Sequence, residues 1–262
     1  MLNGYTTPLS PSARSVLVPP PPWHFSGDVI MVEFLLDPET IRQYLPAGLD
    51  VDPENPRAAA IAGEWQSCTT SGAELLDPNR SQYREFYIAL AARHGEKFVV
   101  RCPFCWVDRD FSLVRGLVQG YPKKLGTIGM TRAYSTGLAA AAVAVGQTYA
   151  GTLTAADRRI AEITVTLDGQ TPDAPDLMVA PLVHTRIFPG WAPGGGSVTE
   201  LVTGGSVNQQ VTNVWRGSGT VEFFPSPVDE LDLLRPVAIL AGYRFSFAET
   251  ITGGQLLSCA GR

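Results

Sequence analysis

The sequence contains no run of lysines and arginines, no long apolar stretch and few histidines and cysteines. Each absence excludes something. Across 262 residues the net charge is -5, so there is no electrostatic footprint for nucleic acid. A membrane helix needs about 18 or more consecutive apolar residues, and the longest small-apolar run, Leu138 to Val145, is short and alanine-rich. The N-terminus lacks a charged segment followed by an apolar one, so no signal peptide is expected and the protein is read as cytoplasmic. His24, His94 and His184 lie in no metal-ligand spacing. The four cysteines include one C-x-x-C, Cys102 to Cys105, with no second pair to complete a zinc site. Its neighbours Phe98-Val99-Val100 and Trp106-Val107 read as strand, whereas a redox C-x-x-C usually opens a helix. The thiols are therefore expected to be reduced, half-buried and structural.

What is present is apolar and β-rich. A 45% hydrophobic, 17% charged composition supports a substantial core. Residues 1–22 end in four prolines and read as an extended arm. Val29 to Leu35 reads as a strand, followed by a short helix capped by Asp37 with Pro38 at its first position. Further strands are expected at Ala58–Trp65, Tyr83–Ala91 and Phe98–Val107. Asp110 to Gln119 reads as a helix ended by Gly120, with Phe111, Val114, Leu117 and Val118 on its apolar face. Later strands are expected at 129–133, 140–149, 151–154, 161–167, 179–188, 198–212, 219–224 and 243–252. Asp168-Gly169 is read as a turn and 229–234 as a short helix. With no repeat and no clean linker, the chain reads as one α+β domain, 1–262, mostly antiparallel β.

The densest chemistry lies in Arg115-Gly116-Leu117-Val118-Gln119-Gly120-Tyr121-Pro122-Lys123-Lys124-Leu125-Gly126. Lysine is a nucleophile only when deprotonated, and burial or a nearby cation favours that state. Adjacent lysines on a strand face opposite ways, so one points inward and the other outward. From the residues alone the pair also fits two surface lysines after a turn. Tyr83 and Glu85 alternate onto one strand face. Arg115 and Gln119 share a helix face, four apart and four before Lys123.

Tyr121-Pro122-Lys123-Lys124-Leu125-Gly126 resembles the lysine motif of acetoacetate decarboxylases, in which the first lysine forms a Schiff base. Weaker likenesses flank it in order. They are Pro22-Trp23-His24-Phe25, Tyr83-Arg84-Glu85, Glu200-Leu201-Val202, Trp215-Arg216-Gly217, Val221 to Phe224 and Asp229 to Val237. The resemblance implies a cone-shaped, barrel-like antiparallel core around Lys123, and a homo-oligomer.

The sequence also departs from the decarboxylases. Their second site glutamate matches Glu85, but Ser67 to Gly72 offers no counterpart of the first, and neither Glu64 nor Glu74 is a clear match. No arginine stands near Ser26-Gly27-Asp28. The Arg115, Gln119, Lys123 arrangement is instead similar to the branch of pyruvate aldolase-dehydratases and related cyclase-dehydratases. Glu249 resembles that branch's C-terminal acidic position. Arginine suits a carboxylate that stays on the substrate. The resemblance thus implies aldol condensation and dehydration of pyruvate or a related 2-oxo acid with an aldehyde. Lys123 would be the Schiff base, Arg115 and Tyr83 would face the substrate, Gln119 would orient it, and Glu85 or Glu249 would move protons. No metal or organic cofactor is expected. Two alternatives remain at this point: a β-keto acid decarboxylase using the same lysine, and a non-catalytic protein that holds a small ligand in the cone.

Overall fold

The computed structural model describes residues 1–261, with side chains to residue 258. Eleven strands form one sheet. The first four are β1 (Trp23–Leu35), β2 (Arg57–Thr69), β3 (Gln82–His94) and β4 (Lys97–Val107), each antiparallel to the one before. Two short strands follow, β5 (Lys123–Leu125) and β6 (Thr127–Met130). Then come β7 (Thr148–Ala155), β8 (Arg158–Gln170), β9 (Leu182–Phe188), β10 (Val198–Phe223) and β11 (Ala238–Gly261). Four short helices are interspersed: α1 (Pro38–Gln43), α2 (Pro78–Ser81), α3 (Asp110–Gln119) and α4 (Asp176–Val179).

β11 pairs with β1 on one side and with β10 on the other. This closes the path β11, β1, β2, β3, β4, β9, β10 into a ring. The joint between β4 and β9 is brief and parallel, at Val100–Leu182 and Arg101–Val183. The barrel-like core implied by the sequence is therefore a ring of strands with one narrow joint, extended by β8, β7 and β6.

β1 to β3 are buried on both faces, which is why 57–63 and 86–92 read as near-continuous apolar runs. On one face Ile30, Val32 and Phe34 pack with Ile163, Val165 and Leu167 of β8. On the other, Phe25, Val29 and Met31 pack with Phe111 of α3 and Leu177 of α4. The prolines of the N-terminal arm lead into β1, and Trp23 donates its indole N–H to the carbonyl of Pro19 at 2.9 Å.

Several expected elements differ. The strand expected at 140–149 begins only at Thr148, because the alanine run before it buries too little to pair and Leu138 is fully exposed. Asp168-Gly169 is not a turn but lies inside β8, with Gly169 paired to Arg216. The turn of that hairpin is Ala156-Asp157, both with positive φ, 48° and 60°. The strand expected from 179 starts at Leu182, after α4 and Pro181. The strands expected at 198–212 and 219–224 are one strand of 26 residues. Two of its four register shifts against β11 fall at Asn208 and Asn213, each at φ 54°. The helix at 229–234 shrinks to a single 3-10 turn, Leu231–Leu233.

Cys102 and Cys105 lie on β4 and are free and fully buried, deeper than expected; Cys68 is half-buried. Burial pushes the Cys105 thiol well above its ordinary pKa, which keeps it unreactive. The side chain of Cys259 lies outside the described residues.

Candidate active site

The helix α3 forms where expected, and Gly120 ends it at φ +94°. Its buried stripe is different from the apolar one read in the sequence. Phe111, Ser112, Arg115 and Gly116 are buried, whereas Leu117 is half exposed. The helix thus turns a partly polar face inward, toward a cavity of about 520 Å³. Arg115, Gln119, Lys123, Tyr83, Glu85 and Glu249, from four separate elements, all line it.

β5 runs parallel to β4 and sets Lys123 beside Cys105. The Lys123 side chain is 5% exposed, and its Nζ lies 2.6 Å from Glu85 Oε2. It also donates to Ser112 Oγ at 3.1 Å. The rings of Tyr121 and Tyr83 flank it, with centroids 5.3 and 5.5 Å away. Gly116 makes the space for this side chain: a Cβ there would meet Lys123 Cδ at 2.3 Å. A glycine inside a helix is unfavourable by about 1 kcal/mol relative to alanine, and its presence is a signal of close packing that the sequence carried unread. Lys124 points the other way, as strand alternation requires, and pairs with the buried carboxylate of Asp229.

Arg115 is 5% exposed. Its Nη1 donates to Ser67 Oγ at 3.0 Å, and its Nη2 has no partner among the described residues. The guanidinium carbon lies 4.6 Å from the centroid of Phe25, 5.4 Å from Tyr83 and 5.5 Å from Phe111. Among the described residues no carboxylate pairs with it. A buried, unpaired charge is costly, so this guanidinium is held ready for an anion.

Glu249 accepts a hydrogen bond from Ser206 and is partly buried. Burial and the charge of Glu85 raise its pKa above the ordinary carboxylate value, partly offset by hydrogen bonds from Ser206 and Gln209. Burial, reinforced by Glu85, also raises the Tyr83 phenol, which stays neutral. The two carboxylates therefore sit in different surroundings, one beside a cation and one without. Glu64 and Glu74 stay outside: Glu64 pairs with Arg84 and Arg132, and Glu74 accepts from Thr69.

Sequence reasoning missed Ser67, Ser112 and His184. The two serines carried no signal, because their roles depend on β2 and α3 meeting across the cavity. His184 is 1% exposed, its ring lies 3.8 Å from that of Tyr121 at a tilt of 39°, and neither ring nitrogen is bonded among the described residues. Gly120 lets it approach, since a Cβ there would stand 3.0 Å from His184 Cβ. Burial, then the charges of Arg101 and Lys123, push its pKa down to about 3. A depressed imidazole favours folding fully above its ordinary pKa of 6.5, and that contribution is lost as pH falls toward 3. We expect stability to fall by up to about 1.4 kcal/mol per pH unit in that window from this group. Urea unfolding midpoints followed from pH 7 to 4 should decline less steeply for His184→Gln; an identical decline would remove His184 as the cause.

The sequence profile of the family described as acetoacetate decarboxylase matches residues 6–259. The enduracididine biosynthesis enzyme MppR, solved in complex with pyruvate, is 40% identical with a TM-score of 0.93, over 98% of both chains. Solved with the condensation product of pyruvate and imidazole 4-carboxaldehyde, MppR gives a TM-score of 0.94 over 98% of this chain and 97% of that one. An acetoacetate decarboxylase-like enzyme from Sphingomonas wittichii RW1 is 27% identical with a TM-score of 0.91, over 98% of this chain and 100% of that one. No curated protein sequence matches the chain.

Proposed function

The chain belongs to the acetoacetate decarboxylase family, and from that premise we propose that it condenses pyruvate, or a related 2-oxo acid, with an aldehyde and dehydrates the product. The observation that carries this reading is the unpaired, buried guanidinium of Arg115 in the same cavity as the Lys123–Glu85 pair. A decarboxylase gains nothing from clamping the group it expels. A condensation must hold the carboxylate through every step, and an arginine fork does so. MppR, 40% identical, has been solved with pyruvate and with a pyruvate–aldehyde condensation product, which supports the same chemistry here.

Glu85 takes the ammonium proton of Lys123, whose neutral amine attacks the ketone carbon of pyruvate. Glu85 returns that proton to the carbinolamine hydroxyl, which leaves as water, and a protonated imine remains. Its positive nitrogen draws electrons from the methyl group, which loses a proton to Glu85 and becomes an enamine. The enamine carbon attacks the aldehyde carbon. The carbonyl electron pair moves onto oxygen, which takes a proton from Glu249, the carboxyl with the raised pKa. Glu249, now a carboxylate, takes a second proton from the former methyl carbon, the new hydroxyl takes the proton held by Glu85 and departs as water, and hydrolysis of the imine releases an unsaturated 2-oxo acid and free Lys123. The net change is pyruvate plus aldehyde to enone acid plus water. Gln119, one turn beyond Arg115, orients the carboxylate or the imine. The imine itself is the electron sink, so no metal or organic cofactor enters.

Borohydride trapping tests this. Incubation with pyruvate followed by reduction should leave a mass adduct on Lys123, and acetoacetate should release no carbon dioxide. Rapid carbon dioxide release would favour the decarboxylase. No adduct with any keto acid would remove both enzyme readings.

A further inference from the structure

The reading above leaves the aldehyde unspecified, and the floor of the cavity narrows it. β1 and β2 each carry a glycine on the cavity face, Gly27 and Gly63, where neighbouring positions carry Phe25, Val29 and Ile61. The indole of Trp65 fills the space these glycines leave. A Cβ at Gly27 would stand 2.6 Å from Cε3 and 3.0 Å from Cδ2 of Trp65. A Cβ at Gly63 would stand 2.5 Å from Nε1 and 2.8 Å from Cε2. Both ends of one ring system are therefore pressed against the sheet, so the indole lies along it with its other face toward the cavity it lines.

The strand register fixes what borders this ring. Gly63 pairs with Glu85, so the indole N–H end lies beside the Lys123–Glu85 pair. Gly27 pairs with Phe247, whose ring meets Trp65 edge-on at 6.1 Å and 86°. Glu249 follows two residues later on the same face of β11. The indole thus spans the floor between the imine-forming lysine and the acid assigned to the aldehyde oxygen. Its N–H has no acceptor among the described residues, although a buried indole N–H usually finds one.

We propose that Trp65 is the platform for the second substrate, and that this substrate is a planar, conjugated aldehyde, aromatic or heteroaromatic. The inference rests on the condensation reading. Flat π systems gain from offset stacking on an indole, and a saturated ring of equal size does not stack in that way. Both glycines bear on the platform: a side chain at Gly63 would meet the indole first and tilt it into the cavity, and one at Gly27 would press on both the Glu64 carbonyl oxygen and the indole.

Benzaldehyde and cyclohexanecarbaldehyde have the same carbon skeleton size and differ in planarity. With saturating pyruvate, Trp65→Leu should lower kcat/KM for benzaldehyde about tenfold more than for cyclohexanecarbaldehyde, a difference of about 1.4 kcal/mol. Trp65→Phe, which keeps a flat ring, should retain most of the preference. Gly63→Ala, which displaces the indole, should lose it. Pyruvate trapping on Lys123, run on each variant, reports whether the donor half of the site is intact. Equal losses for both aldehydes with trapping intact would overturn the platform and leave the condensation standing. Absence of trapping in the unmodified protein would overturn the condensation and this inference with it.

Discussion

Replacing Lys123 with alanine is expected to abolish the pyruvate adduct and to lower condensation by about 10⁴-fold or more, as loss of a covalent nucleophile does. The result is readable because the chain has only three lysines, Lys97, Lys123 and Lys124. Lys97 sits at the β3–β4 hairpin, paired with His94 and exposed. Lys124 is held by Asp229 on the opposite side of β5. Neither can substitute for an amine that faces the cavity. Lys123→Arg separates chemistry from packing: it keeps a cation beside Glu85 but forms no imine. The arginine variant should fold and melt near the parent while making no adduct. Mass mapping after reduction checks both; an adduct that survives on Lys124 would contradict the assignment. Lys124→Ala should retain the adduct, because its charge is neutralised by Asp229 and turned away from Lys123.

The second large effect is expected at Arg115. Arg115→Met should raise the KM for pyruvate by about 10² to 10³, since losing one partner of a buried, hydrogen-bonded charge pair costs about 2–5 kcal/mol. Adduct formation with a ketone that lacks a carboxylate, such as acetone, should change little. Stability should move the other way. In the free protein this guanidinium is buried with Nη2 unbonded and no carboxylate partner among the described residues. Methionine removes that desolvation cost, so the variant should melt at or above the parent temperature, a trade of stability for function. An unchanged KM for pyruvate would take the carboxylate away from Arg115. A KM that rises equally for acetone would show a packing defect instead.

The two variants also separate the parts of the site that were legible in sequence from those that were not. Lys123 was legible because a Pro-Lys-Lys step after a turn is a local pattern, and the period of two in a strand assigns the lysines to opposite faces. The same period put Tyr83 and Glu85 together, and both line the cavity. Gly120 marked the end of α3 because a left-handed cap is a local requirement. The facing of α3 was misread for a physical reason. Hydrophobic periodicity finds the side of a helix that packs on a core, but α3 packs against a cavity, so its buried stripe includes Ser112, Arg115 and Gly116. The length of β10 was also illegible, because the break at Asn213 reads as a strand end while the backbone passes through it as a bulge.

By itself, then, the sequence determined the elements whose causes lie within a few residues: the lysine motif, the alternation of β3, the caps of α1 and α3, and the β-rich character of the whole. Only the tertiary structure decided which side chains meet. Ser67 reaches Arg115 across 48 positions of chain, Glu249 joins Glu85 through the closure of β11 onto β1, and Trp65 lies flat because glycines on two neighbouring strands fall beneath it. Those contacts depend on strand register and on a ring closing. Both arise from long-range pairing and packing that no local pattern encodes.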